Sequence, residues 1–593
     1  MFEILDRGGL GRTGTWIRGG REIRTPTVLS VHRPHRAAPE YAEALLVAER
    51  TTDPRLQIRV SGSFFSERPP EDPDDLPATK AVPLSVADLE IPTPFLLGDL
   101  AVVTSGADFA AAASADAVVL ANGPEYLRDP RTFVTTMARA REALGPVTPL
   151  GVFGVAAPEN LAALVYAGVD LVDSSRIVLD SARGVFHTPD GAYPDRADLR
   201  AACACPACAG GEDLLAHNER ALYRELLLVR SHLAHGRFRE LAEKRLANDP
   251  WNTAVLRHFD LRHHDLLETY TPVTGGEILA YSASSLTRPE VVRFRHRVRE
   301  RYAKPPSARV LLLLPCSARK PYSASRSHRK FREAILASAR PSVVHEVIVT
   351  SPFGLIPREL ERCYPARAYD IPVTGDWSRD EAAVVADDLH TFVAANEYDA
   401  VVAHLGAEAP IVRAALPQVF VPSESRPTSD EALAALTRTL SDLAGAFDRV
   451  PGARRFAEEM SNLARFQFGD AGLALVEGAT FKGRFPDVRA IRGGVQVAMH
   501  TERGMFSLTL DGGRVLSERD AYCVEIEDFV PKGNVFAVGV TDASREIRVG
   551  DEVAVRHAGD VRAVGTARMA WREMLDADRG EAVHVRHVVP PKA

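Results

Sequence analysis

The stretch VLLLLPCSARKPYSASRSHRKF, residues 310–331, drives five apolar residues into Pro315 and Cys316 and then turns polar. A run of that composition reads as a strand buried on both faces, and the end of a parallel strand is the usual ligand edge of an α/β sheet. Ser327 is a good N-cap for the helix that follows, with His328 opening it. That helix N-terminus, Lys320 and Arg319 would each favour a thiolate at Cys316. The expected chemistry is nucleophilic attack by Cys316 supported by Lys320, with His328 handling protons. Ser317, Tyr322, Ser325 and Ser327 are expected to hold the substrate. The competing reading is a buried strand-end cysteine beside a Ser/Lys phosphate cradle.

A second group is CACPACAGGEDLLAHN, which sets Cys203, Cys205 and Cys208 in a C-x-C-x-x-C array ahead of His217. Three thiolates and one imidazole suit tetrahedral Zn²⁺, and four protein ligands make such a site structural, with no place for an activated water. His232 and His235 on the same helical segment compete with His217 for the fourth place. The other reading is three unbonded core cysteines.

Placing these groups takes several domains: 593 residues are too many for one core. Apolar content of 46% and charged content of 25% are those of a soluble globular chain. No run of about 18 apolar residues predicts a membrane span, and the N-terminus lacks an apolar signal core. Six cysteines, three of them clustered, point to a metal in a reducing cytoplasm rather than to disulfides. With a net charge of −7, any nucleic acid must be met by local patches. Residues 1–275 alternate short apolar strands (LAVVTSG, DAVVLAN, VTPLGVFGV, VDLVDSS) with helices, which predicts a parallel sheet, either a barrel or a doubly wound layer. Residues 213–246 read as a long amphipathic helical segment broken near Gly236. A second α/β unit starts near 305. From about 475 the pattern becomes short strands with glycine turns, such as MFSLTLDGG.

The opening FEILDRGGLGRTGTWIRGGREIRTPTVLSV, the stretch FGVAAPENLAALVYAGVDLVDSS and the cysteine array followed by His-Asn resemble tRNA-guanine transglycosylases. That resemblance implies a (β/α)₈ barrel with a zinc subdomain whose histidine ligand is His217, and it makes a homodimer an expectation. It also implies a loss. Where the family carries an essential aspartate, VVTSGADF has Thr104, while Asp173 matches the second catalytic aspartate. A lone carboxylate there is a relic, a helix cap, or a contact to ribose or base. The tail, with IRVGDEVAV and AVGTARM, resembles a PUA RNA-binding barrel, where Lys532, Arg548 and Arg568 are candidates for phosphate contacts.

The motif PCSARKPYSASRSH closely resembles the signature of archaeosine synthases, archaeal paralogues of the transglycosylases. This implies an α/β multidomain chain: a degenerate barrel with zinc subdomain at 1–275, a second α/β domain at 276–445, a small α+β connecting domain at 446–515 and the PUA domain at 516–593. The implied reaction attaches an amino acid, lysine in the characterised route, to the nitrile of 7-cyano-7-deazaguanine (preQ0) in the tRNA D-loop. A radical-SAM partner enzyme then releases archaeosine. The nitrile carbon would be the target of Cys316, and Glu359 and Asp370 would pair with the α-ammonium group. The Arg-rich helix at 288–304 is a candidate phosphate face. Two alternatives stand beside this reading: base exchange by a transglycosylase, and a noncatalytic tRNA platform for a partner enzyme.

Overall fold

The computed structural model describes residues 2–33, 35–47, 50–59, 95–97, 100–106, 108–372 and 374–590. The chain divides into two compact units, residues 1–271 with 576–580, and 272–575 with 581–593.

In the first unit an antiparallel ribbon (Phe2–Gly8, Gly11–Arg18, Arg21–Thr25) leads into a curled eight-stranded sheet. Its order is Leu56–Arg59, Ala44–Val47, Thr27–Val31, Leu171–Asp173, Leu150–Val152, Val118–Leu120, Leu100–Val103 and Phe95–Leu97. All but the last run parallel. The final parallel strand pairs with the first, Val172 opposite Val28, which is the closure a barrel needs. Among the described residues the ladder stays open between Leu56–Arg59 and Phe95–Leu97, so the barrel is a degenerate one. Helix Pro130–Leu144 covers it, begun by Pro130 and capped by Asp129, whose carboxylate accepts from the Arg131 and Thr132 amides. Helix Leu214–Ala234 stops where Gly236 takes φ +64°. The Arg237 N–H reaches the His232 carbonyl at 2.8 Å and the Gly236 N–H reaches Leu233, the double closure of a Schellman cap. Helix Phe238–Leu246 follows, as the break near Gly236 predicts.

In the second unit a four-stranded sheet runs Gly354–Pro357, Val344–Thr350, Val310–Pro315, Ala400–Ala403. The last three are parallel and the first is an antiparallel edge. From Val310–Pro315 the chain passes through helix Arg326–Leu336 to Val344–Thr350 on one side. It then passes through helix Arg379–Ala395 to Ala400–Ala403 on the other. The order of the sheet therefore reverses at the carboxyl end of Val310–Pro315, the kind of crevice where open α/β sheets take ligands. Val310, Leu312 and Leu314 pack on Phe331 and Ile335 and on Leu436 and Leu440 of helix Asp430–Ala444.

Beyond helix Gly452–Phe468 lies an antiparallel sheet (Thr480–Arg484, Asp487–Arg492, Val495–His500, Phe506–Leu508), then the six-stranded PUA sheet from Cys523–Ile526 to Glu581–Val588. The stretch TLDGG, expected as strand, instead opens helix Leu510–Ser517. Thr509 caps it by accepting from the Gly512 amide. A Cβ at Gly512 would meet the Val497 carbonyl at 2.0 Å, so glycine serves close packing there rather than a turn. No helix among the described residues is long and apolar enough to cross a membrane.

Candidate active site and metal centre

Cys316 follows directly on strand Val310–Pro315, half-buried at the reversal point. Around it stand Lys320, Tyr322, Thr350, Tyr369 and Glu408. The Tyr322 and Tyr369 hydroxyls are hydrogen-bonded to each other, Thr350 Oγ1 lies 2.6 Å from the Tyr369 hydroxyl, and Lys320 Nζ sits 3.9 Å over the Tyr369 ring. A cation over a ring face holds its place electrostatically. Asp370 continues the short strand Tyr369–Asp370 and is exposed. With Glu277 it raises the Lys320 ammonium, though burial outweighs both and Cys316 as well, leaving Lys320 below its ordinary value.

The expected thiolate is a correction. Burial pushes the Cys316 thiol up, Glu408 pushes it further, and a hydrogen bond from Thr350 and the charge of Lys320 only partly offset them. The resting group is a thiol, because desolvating a sulfur anion costs more than the Thr350 hydrogen bond and one lysine return.

His328 is a second correction. Its Nε2 faces the Pro315 carbonyl at 3.0 Å and its Nδ1 faces Arg358 Nη2 at 2.8 Å. Arg358 can only donate, so Nδ1 accepts and Nε2–H donates. Burial, then Arg358, pull the imidazole down to about 3. With both nitrogens committed to these hydrogen bonds, His328 holds the Pro315–Cys316 turn in place. Arg358 is itself held by Glu346 (2.8 and 3.0 Å) and Glu361 (2.8 Å). Burial would raise Glu346, but Arg358 and Arg332 keep it at about 2.

The helix N-cap is Ser325, not Ser327. Ser325 Oγ accepts from the His328 amide at 3.2 Å, and Ser327 Oγ lies 3.2 Å from it. Ser317 Oγ donates to the Arg319 carbonyl at 3.1 Å. Glu359 departs from expectation as well. It is buried, accepts from the Tyr302 hydroxyl (2.7 Å) and Asn462 (3.4 Å), and faces His345 (3.4 Å). Burial opposes its charge, yet His345 and Arg455 hold it near 2, so it is committed to this network and not to an ammonium ligand.

The Arg-rich helix Pro289–Glu300 is no phosphate face. Arg288 pairs with Glu290, Arg293 donates to the Pro272 carbonyl, Arg295 and Arg299 clamp Asp388, and Arg297 lies over the Phe466 ring. These side chains are packed and paired within the unit.

In the first unit Cys203, Cys205 and Cys208 stand 3.6, 3.4 and 3.4 Å from His217 Nδ1, with all four ligand atoms within 4.8 Å of one another. The edges of a tetrahedron built on Zn–S and Zn–N bonds are about 3.5–3.8 Å, so the cluster fits that ion. His217 Nε2–H donates to the His187 carbonyl at 2.9 Å, which turns the Nδ1 lone pair to the sulfurs, and Phe186 stacks on the ring at 3.8 Å. His232 and His235 are bonded back to their own helix at Leu228 and Ser231, which leaves His217 as the fourth ligand.

Asp173 ends strand Leu171–Asp173 and is fully buried, its Oδ1 accepting from the Gly154 amide at 2.7 Å. Burial pushes the carboxyl up to about 6, against Ser175 and Gly154. Of the tail residues, Lys532 lines a cavity of about 1420 Å³ with Arg514, Arg556 and Val588. Arg568 lies 3.6 Å from Glu581, and the Arg548 guanidinium bonds the Arg545 and Ile547 carbonyls.

Arg358, Thr350 and Glu408 were missed from sequence. Thr350 and Glu408 were findable, since each closes or follows a strand flanking Val310–Pro315.

A degenerate barrel with a Cys₃His cluster, an α/β sheet with a cysteine at its reversal point, and a PUA domain are the parts of an RNA-modification scaffold. The family model described as "Domain of unknown function (DUF5591)" matches residues 291–440, and the PUA model matches 524–589. The chain is 36% identical to "Archaeosine synthase" of Haloferax volcanii, over 99% of both chains. It is 38% identical to "Archaeosine synthase subunit alpha" of Methanosarcina acetivorans over 77% of both, and 27% identical to "tRNA-guanine(15) transglycosylase" of Methanothermobacter thermautotrophicus over 77% of this chain and 68% of that one. The chain belongs to the archaeosine synthase family.

Proposed function

We propose that this chain is a tRNA-modifying transferase of archaeosine biosynthesis that joins an amino acid, lysine, to the nitrile of 7-cyano-7-deazaguanine in the D-loop. The observation that carries the reading is Cys316, half-buried at the point where the sheet order reverses, with Lys320 and the Thr350 hydroxyl turned to it. The sulfur adds to the nitrile carbon, an S–C bond forms, one C–N π bond breaks and the thiol proton passes to the nitrile nitrogen. The resulting thioimidate is open to an amine. Addition of the amine and departure of the sulfur leave an amidine, with no oxidant or reductant consumed. The released thiol is neutral in the resting site, which suits a leaving group that must not linger as an anion. The Cys₃His cluster would hold zinc as a structural ion, and Lys532 with the PUA barrel would grip the tRNA. A radical-SAM enzyme acting on the lysine adduct remains the expected partner.

Purified protein, cyano-modified tRNA and lysine are incubated, and the nucleosides are weighed. The expected result is a nucleoside heavier by one lysine, absent with Cys316→Ala although that variant still binds tRNA. Product from Cys316→Ala at the parent rate overturns the reading.

A further inference from the structure

Glu408 immediately precedes helix Ala409–Ala415, just past strand Ala400–Ala403, and its side chain makes no capping bond. That strand lies beside Val310–Pro315, with Ala403 opposite Leu313 and the His404 amide donating to the Leu313 carbonyl at 3.0 Å. The residues that leave the two strands therefore share one end of the sheet, and Glu408 is near enough to Cys316 to act on its charge. Its side chain is buried, at 8% exposure. Backbone amides alone support it, its own and that of Gly406, the latter reaching Oε2 at 3.2 Å, and among the described residues no cation pairs with it. Three other buried carboxylates of this unit are treated differently. Glu346 holds two arginines, Asp388 two more, and Glu359 has His345, Tyr302 and Asn462. A buried carboxylate left without a counter-charge is costly, and such groups are kept where a ligand supplies the missing partner. The reaction proposed above brings one, because an amine enters neutral water as an ammonium ion and must lose a proton before it attacks.

We propose that Glu408 receives the amine nucleophile and takes its proton, so that Cys316 holds one substrate and Glu408 the other. This rests on the reading of Cys316 as the nitrile's acceptor. One ammonium proton passes to the Glu408 carboxylate, and the freed nitrogen attacks the thioimidate carbon. An N–C bond forms and the C–S bond breaks. The sulfur departs with the proton that Glu408 returns, and the amidine keeps the remaining hydrogens and the positive charge. Asp370 and Glu277, both exposed, act on Lys320.

The test compares the parent chain with Glu408→Gln on cyano-modified tRNA in three reactions: without amine, with lysine, and with hydroxylamine, which is largely unprotonated at neutral pH. The expected result is equal adduct mass on Cys316 without amine, a fall of at least about a hundredfold with lysine, and hydroxylamine transfer within about threefold of the parent. Glu408→Asp, which keeps the carboxylate, recovers part of the lysine rate and separates charge from packing. Lysine transfer at the parent rate in Glu408→Gln overturns the proposal, as does an equal loss with both amines. Absence of any adduct in the parent chain overturns the Cys316 reading itself, and this proposal with it.

Discussion

Two parallel-strand ends in this chain carry a group that could do chemistry, and they have been treated in opposite ways. Asp173 ends a strand of the degenerate barrel, fully buried, with its carboxyl raised to about 6. Cys316 ends a strand of the second α/β sheet, half-buried, between a lysine and an uncompensated glutamate. The first end is sealed and the second stays open. In the proposed function RNA binding and bond-making fall to separate sites on the fold.

The comparison breaks most sharply at the sulfur. Cys316→Ala should lower transfer by on the order of a thousandfold or more with tRNA affinity unchanged, measured by nucleoside mass and by gel shift. Next comes the support behind it. Arg358→Met leaves the buried Glu346 carboxylate with Arg332 alone and frees His328 Nδ1. It should cost about 3 kcal/mol in denaturant unfolding and most of the activity. A smaller effect belongs to pH. Because burial and Glu408 raise Cys316, alkylation by iodoacetamide should be slow at neutral pH and should still be climbing where an ordinary thiol levels off. The smallest effect belongs to the sealed end. Asp173→Asn should leave transfer within about threefold, since that carboxylate touches no reacting atom in this account. Its trace is in stability. The folded carboxyl, at about 6, lies above the ordinary range of an aspartate, so the native state binds the extra proton and stability falls as pH rises through that window. Asp173→Asn should flatten this dependence in melting curves taken across it.

Much of this was legible in the residues. The continuous apolar run VLLLLP has one physical home, a doubly covered parallel strand, and the C-x-C-x-x-C array marks three thiolate ligands, while the fourth place, open among His217, His232 and His235, is decided by the geometry. Local hydrogen bonding was harder to read. Ser325 and Ser327 are equivalent caps on paper, and only the backbone at Ser325, extended at φ −79°, ψ 154°, decides between them. Two adjacent glycines at 512 and 513 read as a turn, while their role is close approach inside a helix. What sequence could not reach was long-range pairing. The arginines at 288–299 look like a basic face until Asp388, nearly a hundred residues on, closes on two of them. Glu359 likewise looks available for a ligand until Tyr302 and His345 occupy it.

The most direct test is a trap. Cyano-modified tRNA is mixed with the protein in the absence of amine, the RNA is digested to nucleosides, and the protein is cleaved and weighed. A thioimidate mass on the peptide that carries Cys316, discharged when lysine is added, is the predicted result. An adduct on another residue, or steady product from the Cys316→Ala chain, would contradict the account.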